Sequence, residues 1–287
     1  MKLLQDIDQE FAAHLQFLKE FVAIPTVSSG SIHKEDMLRA GQWLQERCDE
    51  AGLTTTIRQA EGGHPAVVAS TEPREHIPHL FLYGHYDVES PSGGDFRSNF
   101  DGNELQGPGA GGQKGLLVAH LCALRALRLV GGYQPVNLTL LIEGERVIGS
   151  PNLQNHLEFV AREHGPFDLA LITTNPALER EGSTDPTLPP SPYRLRLSSS
   201  EKVLLEAAES IRPDTDSDPP GKVIEPFHTL LGTKALMVNF EGAGHSPDSV
   251  RPERFRDWIT NAVETLHRIA ERYQAQLAEE VASSKRL

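Results

Sequence analysis

The chain is poor in cysteine, in basic residues and in long apolar runs, and each shortage removes a class of protein. Two cysteines in 287 residues cannot build a disulfide framework or a cysteine-type zinc centre. Cys48 in QERCDE and Cys122 in AHLCALRAL fall on expected helices and read as packing residues. Lys and Arg number 27 against 40 Asp and Glu, a net charge of −13. So acidic a chain argues against a basic face for nucleic acid or an anionic membrane. The longest apolar stretch, Gly115 to Val130, is broken by His120, Arg125 and Arg128, so no membrane span is expected. The opening MKLLQDIDQE is charged and amphipathic, which predicts no signal peptide and a cytoplasmic location.

What is present is an alternation of helical and strand patterns. Ile7, Phe11, Leu15, Leu18 and Val22 recur at helical spacing. A second helix is expected from about Lys34 to Ala51, stopped by Gly52. Thr54–Arg58 and Ala66–Ser70 read as strands, as do HLFLYGHYDV, VNLTLLI and Asp168–Thr173. Helices are expected from Leu116 to Val130, from Asn152 to Glu163, and onward from Pro252. The glycine-rich stretch from Ser92 to Gly115 predicts no regular element. Eight of the 20 prolines lie between Pro186 and Pro226, which predicts loop with one helix, Glu201 to Ile211. Ala235–Phe240 reads as a further strand.

This order predicts an α/β protein with a mixed, largely parallel sheet and helices on both faces. In such sheets the site lies at the carboxyl ends of the strands. His85, Asp87, Glu143, Glu145, Thr174 and Asn175 all stand at such ends.

Four motifs carry chemistry. His85-Tyr86-Asp87 could hold a metal, or its carboxylate could orient the imidazole. Otherwise it is a polar strand end. Gly107, Gly109 and Gly112 fit G-x-G-x-x-G, but DGNELQ precedes them where a dinucleotide site needs a buried strand. Gln113 stands where a P-loop needs Lys after its last glycine. Glu143 and Glu145 offer paired carboxylates for acid–base work, or form a solvated turn beside Arg146. His245 sits between turns in GAGHSPDS and means little alone.

Taken in order, these segments resemble the M20 family of metallopeptidases and amidohydrolases. FLKEFVAIPTVSS is similar to its opening helix and turn, and LFLYGHYDVES to its G-H-x-D-V strand. ELQGPGAGGQKGLLVAHLCAL resembles G-R-G-x-x-D-x-K-G with the helix after it. LLIEGERVIGSPNL resembles L-x-E-G-E-E-E-I-G-S, DLALITTNPAL the strand that ends in an acidic ligand, and GAGHSPDS the final histidine loop.

The resemblance implies a zinc-exopeptidase-like domain with two zinc ions, a bridging carboxylate and a Glu general base. It assigns metal binding to His85 and His245, with Asp87 orienting His85. The bridging Asp falls on Gly112, the base on Arg146, a ligand Glu on Val147 and the last acid on Thr174. A zinc pair is therefore not expected, since close cations need a bridging anion between them. A single zinc on His85 and His245, with Glu143 or Glu145 as a third ligand, stays open. The family's lid domain would follow Thr174. Here residues 178–226 take its place, so residues 1–287 are expected to form one catalytic-type domain.

Three functions follow. The chain is a binding or accessory protein, for an amino-acid or peptide-like ligand or a protein partner. Or it is a repurposed enzyme using His85, Asp87, Glu145, Arg146 and His245. Or it is a single-metal or metal-free hydrolase of small amides or peptides.

Overall fold

The computed structural model describes residues 2–91, 94–129, 132–173, 230–233, 235–238 and 248–284. The expected helix at Glu201–Ile211, the 178–226 segment, Thr174, Asn175 and His245 lie outside these residues.

Five helices are described: α1 (Lys2–Val22), α2 (Lys34–Glu50), α3 (Gln113–Leu129), α4 (Leu153–His164) and α5 (Pro252–Ser284). The main sheet holds β1 (Thr54–Gln59), β2 (Pro65–Ser70), β3 (His79–His85), β6 (Asn137–Glu143), β7 (Leu169–Thr173) and β8 (Ala235–Val238), in the order β1-β2-β6-β3-β7-β8. β6, β3, β7 and β8 run parallel, and β1 and β2 join antiparallel at one end. The mixed sheet expected from the strand pattern is thus the observed one.

Alternation along the strands divides two cores. Leu80 and Leu82 of β3, Leu138, Leu140 and Ile142 of β6, and Leu169 and Leu171 of β7 pack in the larger core, with residues of α1, α2, α3 and α5. Phe81, Tyr83, Leu141, Ala170 and Ile172 point the other way and pack with Leu157 and Val160 of α4. Side chains on a strand alternate in direction, so an apolar run this continuous requires cover on both faces. Each fully buried Leu, Ile or Phe contributes roughly 1.5–3 kcal/mol relative to exposure. Cys48 and Cys122 are both buried and unpaired in this core, as packing residues should be.

The glycine-rich stretch departs from expectation. It contains β4 (Asn99–Phe100) and β5 (Leu105–Gln106), and β5 pairs antiparallel with β9 (Ser249–Val250) to make a small second sheet. Two-residue strands carry no readable periodicity, and β9, which pairs with β5, is far away in sequence. Helix α3 also starts at Gln113, three residues before the expected Leu116. Its first turn needs glycine at Gly115, because a Cβ there would lie 3.0 Å from the Trp258 ring and closer still to the Ala110 backbone oxygen. Among the described residues, no helix is long and apolar enough to cross a membrane.

Candidate functional site

β3 and β6 are adjacent and parallel, and their registers end together, with His85 opposite Glu143. This places the imidazole and the carboxyl at one sheet edge, as the strand-end argument requires. His85 is 1% exposed. Its Nδ1 lies 2.9 Å from Asp87 Oδ1. A carboxylate accepts, so Nδ1 carries a proton, and the neutral imidazole would offer its lone pair at Nε2.

Asp87 is fully engaged. Oδ1 also accepts the backbone N–H of Arg146 at 3.1 Å. Oδ2 accepts Ser28 Oγ at 2.7 Å and the backbone N–H of Val147 at 2.8 Å. Burial pushes the Asp87 carboxyl up, but the bonds from His85, Ser28 and Val147 outweigh it and hold its pKa below the usual carboxylate value. Asp87 is therefore a buried anion that orients His85 and pins the chain after β6. Ser28 had no signal in the sequence, since it lies 59 residues from its partner.

The two glutamates of the β6 end have different jobs. Glu143 Oε1 accepts Tyr83 Oη and, at 2.6 Å, Ser150 Oγ. Its Oε2 is buried without a hydrogen bond. Burial raises its pKa above the ordinary carboxylate value, against the pull of Ser150 and Tyr83. Glu145 instead holds the β1–β2 turn. It accepts the backbone N–H of His64 at 2.7 Å and Asn152 Nδ2 at 3.0 Å. Gly63 makes this approach possible, because a Cβ there would lie 2.7 Å from Glu145 Oε1 and 2.6 Å from Asn152 Nδ2.

Arg146 begins a short 3-10 turn, Arg146–Ile148, and is half-buried. Its positive charge acts on the Tyr83 hydroxyl. Its guanidinium makes no ion pair among the described residues. Gly112 is buried just before α3.

The glycine loop and the region after His245 meet through Asp248. Its backbone oxygen accepts Gly107 N–H at 2.8 Å, and Oδ1 accepts Gly109 N–H at 3.0 Å. Lys114, at the start of α3, is wholly buried. Nζ donates to the backbone oxygens of Ile24 at 2.7 Å and Phe21 at 3.2 Å, joining α3 to the end of α1. Among the described residues, no group of three His, Cys, Asp or Glu side chains is placed to share a metal ion.

No family model matches the chain. It is 26% identical over 300 residues to the Cys-Gly metallodipeptidase DUG1 of Candida albicans. That match covers 92% of this chain and 59% of the relative, so the chain spans about three-fifths of that protein's length. In fold it is similar to human carnosine dipeptidase 1, at a TM-score of 0.73 and 14% identity, over 94% of this chain and 99% of that one. It is also similar to the M20 family metallo-carboxypeptidase Sso-CP2 of Sulfolobus solfataricus, at a TM-score of 0.57 and 15% identity, over 90% and 99% of the two chains.

The chain thus shares the fold of an M20 family metallo-carboxypeptidase and resembles a metallodipeptidase in sequence. Asp87 joins His85 to the backbone of Arg146 and Val147.

Proposed function

We propose that this M20 relative is a binding or accessory protein rather than a two-zinc hydrolase, its old cleft serving an amino-acid or peptide-like ligand. The observation that carries this reading is the docking of residues 146 and 147 on Asp87. Those two bonds lock the loop's register against His85. That fixed register supports the reading that Arg146 and Val147 take the base and ligand positions of the resembling motif.

The residues fit a zinc pair poorly. His85 is ligand-ready, but Gly112 offers no bridging carboxylate, and Val147 no oxygen. Arg146 adds a permanent cation where two metal ions would already repel. Glu145 is committed to His64 and Asn152.

Arg146 favours an anion in the same place. A guanidinium offers several N–H donors, and a carboxylate accepts two of them side by side. His85 Nε2, oriented by Asp87, supplies an acceptor for a ligand N–H or O–H. An N-acyl amino acid carries both groups.

Calorimetry with N-acetyl amino acids tests this. Wild-type protein should bind, and Arg146→Ala should weaken binding by about 10-fold or more, the scale of one charged hydrogen-bonded contact. Equal binding by both proteins, or zinc-dependent hydrolysis of a dipeptide, contradicts the proposal.

A further inference from the structure

A second cleft of about 600 Å³ opens beside the strand-end site, between the turn after α1, the β1–β2 turn and the loop before α4. Ser28 is the wall between the two. Its hydroxyl bonds Asp87, and its backbone oxygen takes His64 Nε2 at 2.8 Å. The His64 proton is therefore on Nε2, and Nδ1 is left as an acceptor. His64 is 9% exposed, lines the cleft, and makes no hydrogen bond through Nδ1 among the described residues.

Two opposite charges also line this cleft. Lys34 and Glu61 are both exposed, and neither forms an ion pair among the described residues. Ile148 and Pro151 add apolar surface, and Ile148 is 43% exposed. The Glu145 carboxylate beneath is consumed by His64 N–H and Asn152, so it steadies the wall and leaves the ligand to the other groups.

We propose that this cleft binds a small apolar zwitterion, a free α-amino acid such as leucine. The ammonium group would donate to His64 Nδ1 and Glu61, the carboxylate would meet Lys34, and the side chain would rest on Ile148 and Pro151. A simple anion leaves Glu61 unanswered. A simple cation leaves Lys34 unanswered. Exposed charges contribute little each, so affinity should be modest, with a Kd on the order of 1 mM.

The test is titration of the full chain with L-leucine, followed by NMR of the histidine ring nitrogens. L-leucinamide and N-acetyl-L-leucine serve as the arms that remove one charge each. The expected result is saturable binding with a shift at His64 Nδ1. Each arm should bind at least five-fold more weakly at this site, as should Lys34→Ala and Glu61→Ala. Both replaced residues are exposed, so the fold should survive, and far-ultraviolet circular dichroism checks it. The His64 shift separates this cleft from the strand-end site. Three results would overturn the proposal: no saturation, binding indifferent to Lys34→Ala and Glu61→Ala, or binding with no shift at His64.

Discussion

The backbone N–H of Val147 donates to Asp87 Oδ2 at 2.8 Å, and this bond sets the loop after β6 against the histidine strand. Asp87 takes four such bonds, from His85, Ser28, Arg146 and Val147. Removing it leaves buried donors with nothing to receive them.

Asp87→Ala should therefore cost about 3–5 kcal/mol in stability, the scale of breaking a buried charged network. Urea unfolding measures it. Ser28→Ala removes one of the four bonds and should cost only about 1–2 kcal/mol. A neutral Asp87→Ala would mean the network does not hold the loop.

Gly144 is packed as tightly as Gly63. A Cβ on Gly144 would lie 2.7 Å from Met37 Cε and closer still to the Tyr86 ring. Gly144→Ala should destabilise by about 1–3 kcal/mol, the usual penalty for overpacking. Thermal unfolding of that variant beside the exposed control Gly30→Ala checks the difference, since only open space surrounds a Cβ at Gly30. Gly30 has a positive φ of 76°, so its variant reports backbone strain alone.

Much of this was legible in the sequence, and the limits are physical. The core strands are apolar runs long enough to need cover on both faces, and the strand-end polar residues follow from them. The second sheet was hidden because Leu105 and Val250 are brought together only by the fold. The role of Glu145 was hidden for the same reason. Its motif position suggested acid–base chemistry, while its partner His64 lies 81 residues away. Asp248 reaches Gly109 across 139 residues. His245 lies outside the described residues, so its relation to His85 is still the sequence expectation.

Acid should unfold the protein partly through two buried histidines. Burial lowers His14 and His120 to about 4 from an ordinary 6.5. The unfolded chain thus binds more protons between those values, and stability falls as pH drops from 6.5 towards 4. His14→Leu should flatten this slope, since His14 Nδ1 has no hydrogen bond to lose. Urea midpoints at pH 7, 6 and 5 measure it, and identical slopes would contradict the account.

Lys114 acts at higher pH. Burial lowers its pKa from 10.5 to about 7, with Asp87 pulling the other way. Between those values the unfolded chain again holds the extra proton, so stability should rise as pH climbs from 7 towards 10. Lys114→Met should lower stability at neutral pH, because Ile24 and Phe21 lose their donor, and should also remove this rise. Unfolding midpoints at pH 7, 8 and 9 for both proteins give the comparison.

The central claim is that Arg146 and Val147 end two-zinc chemistry in this cleft. Elemental analysis of protein purified without added metal or chelator, then dialysed against zinc, tests it most directly, with His85→Ala alongside. The account predicts at most one tightly held zinc per chain. Two zinc ions per chain, lost in His85→Ala, would contradict it.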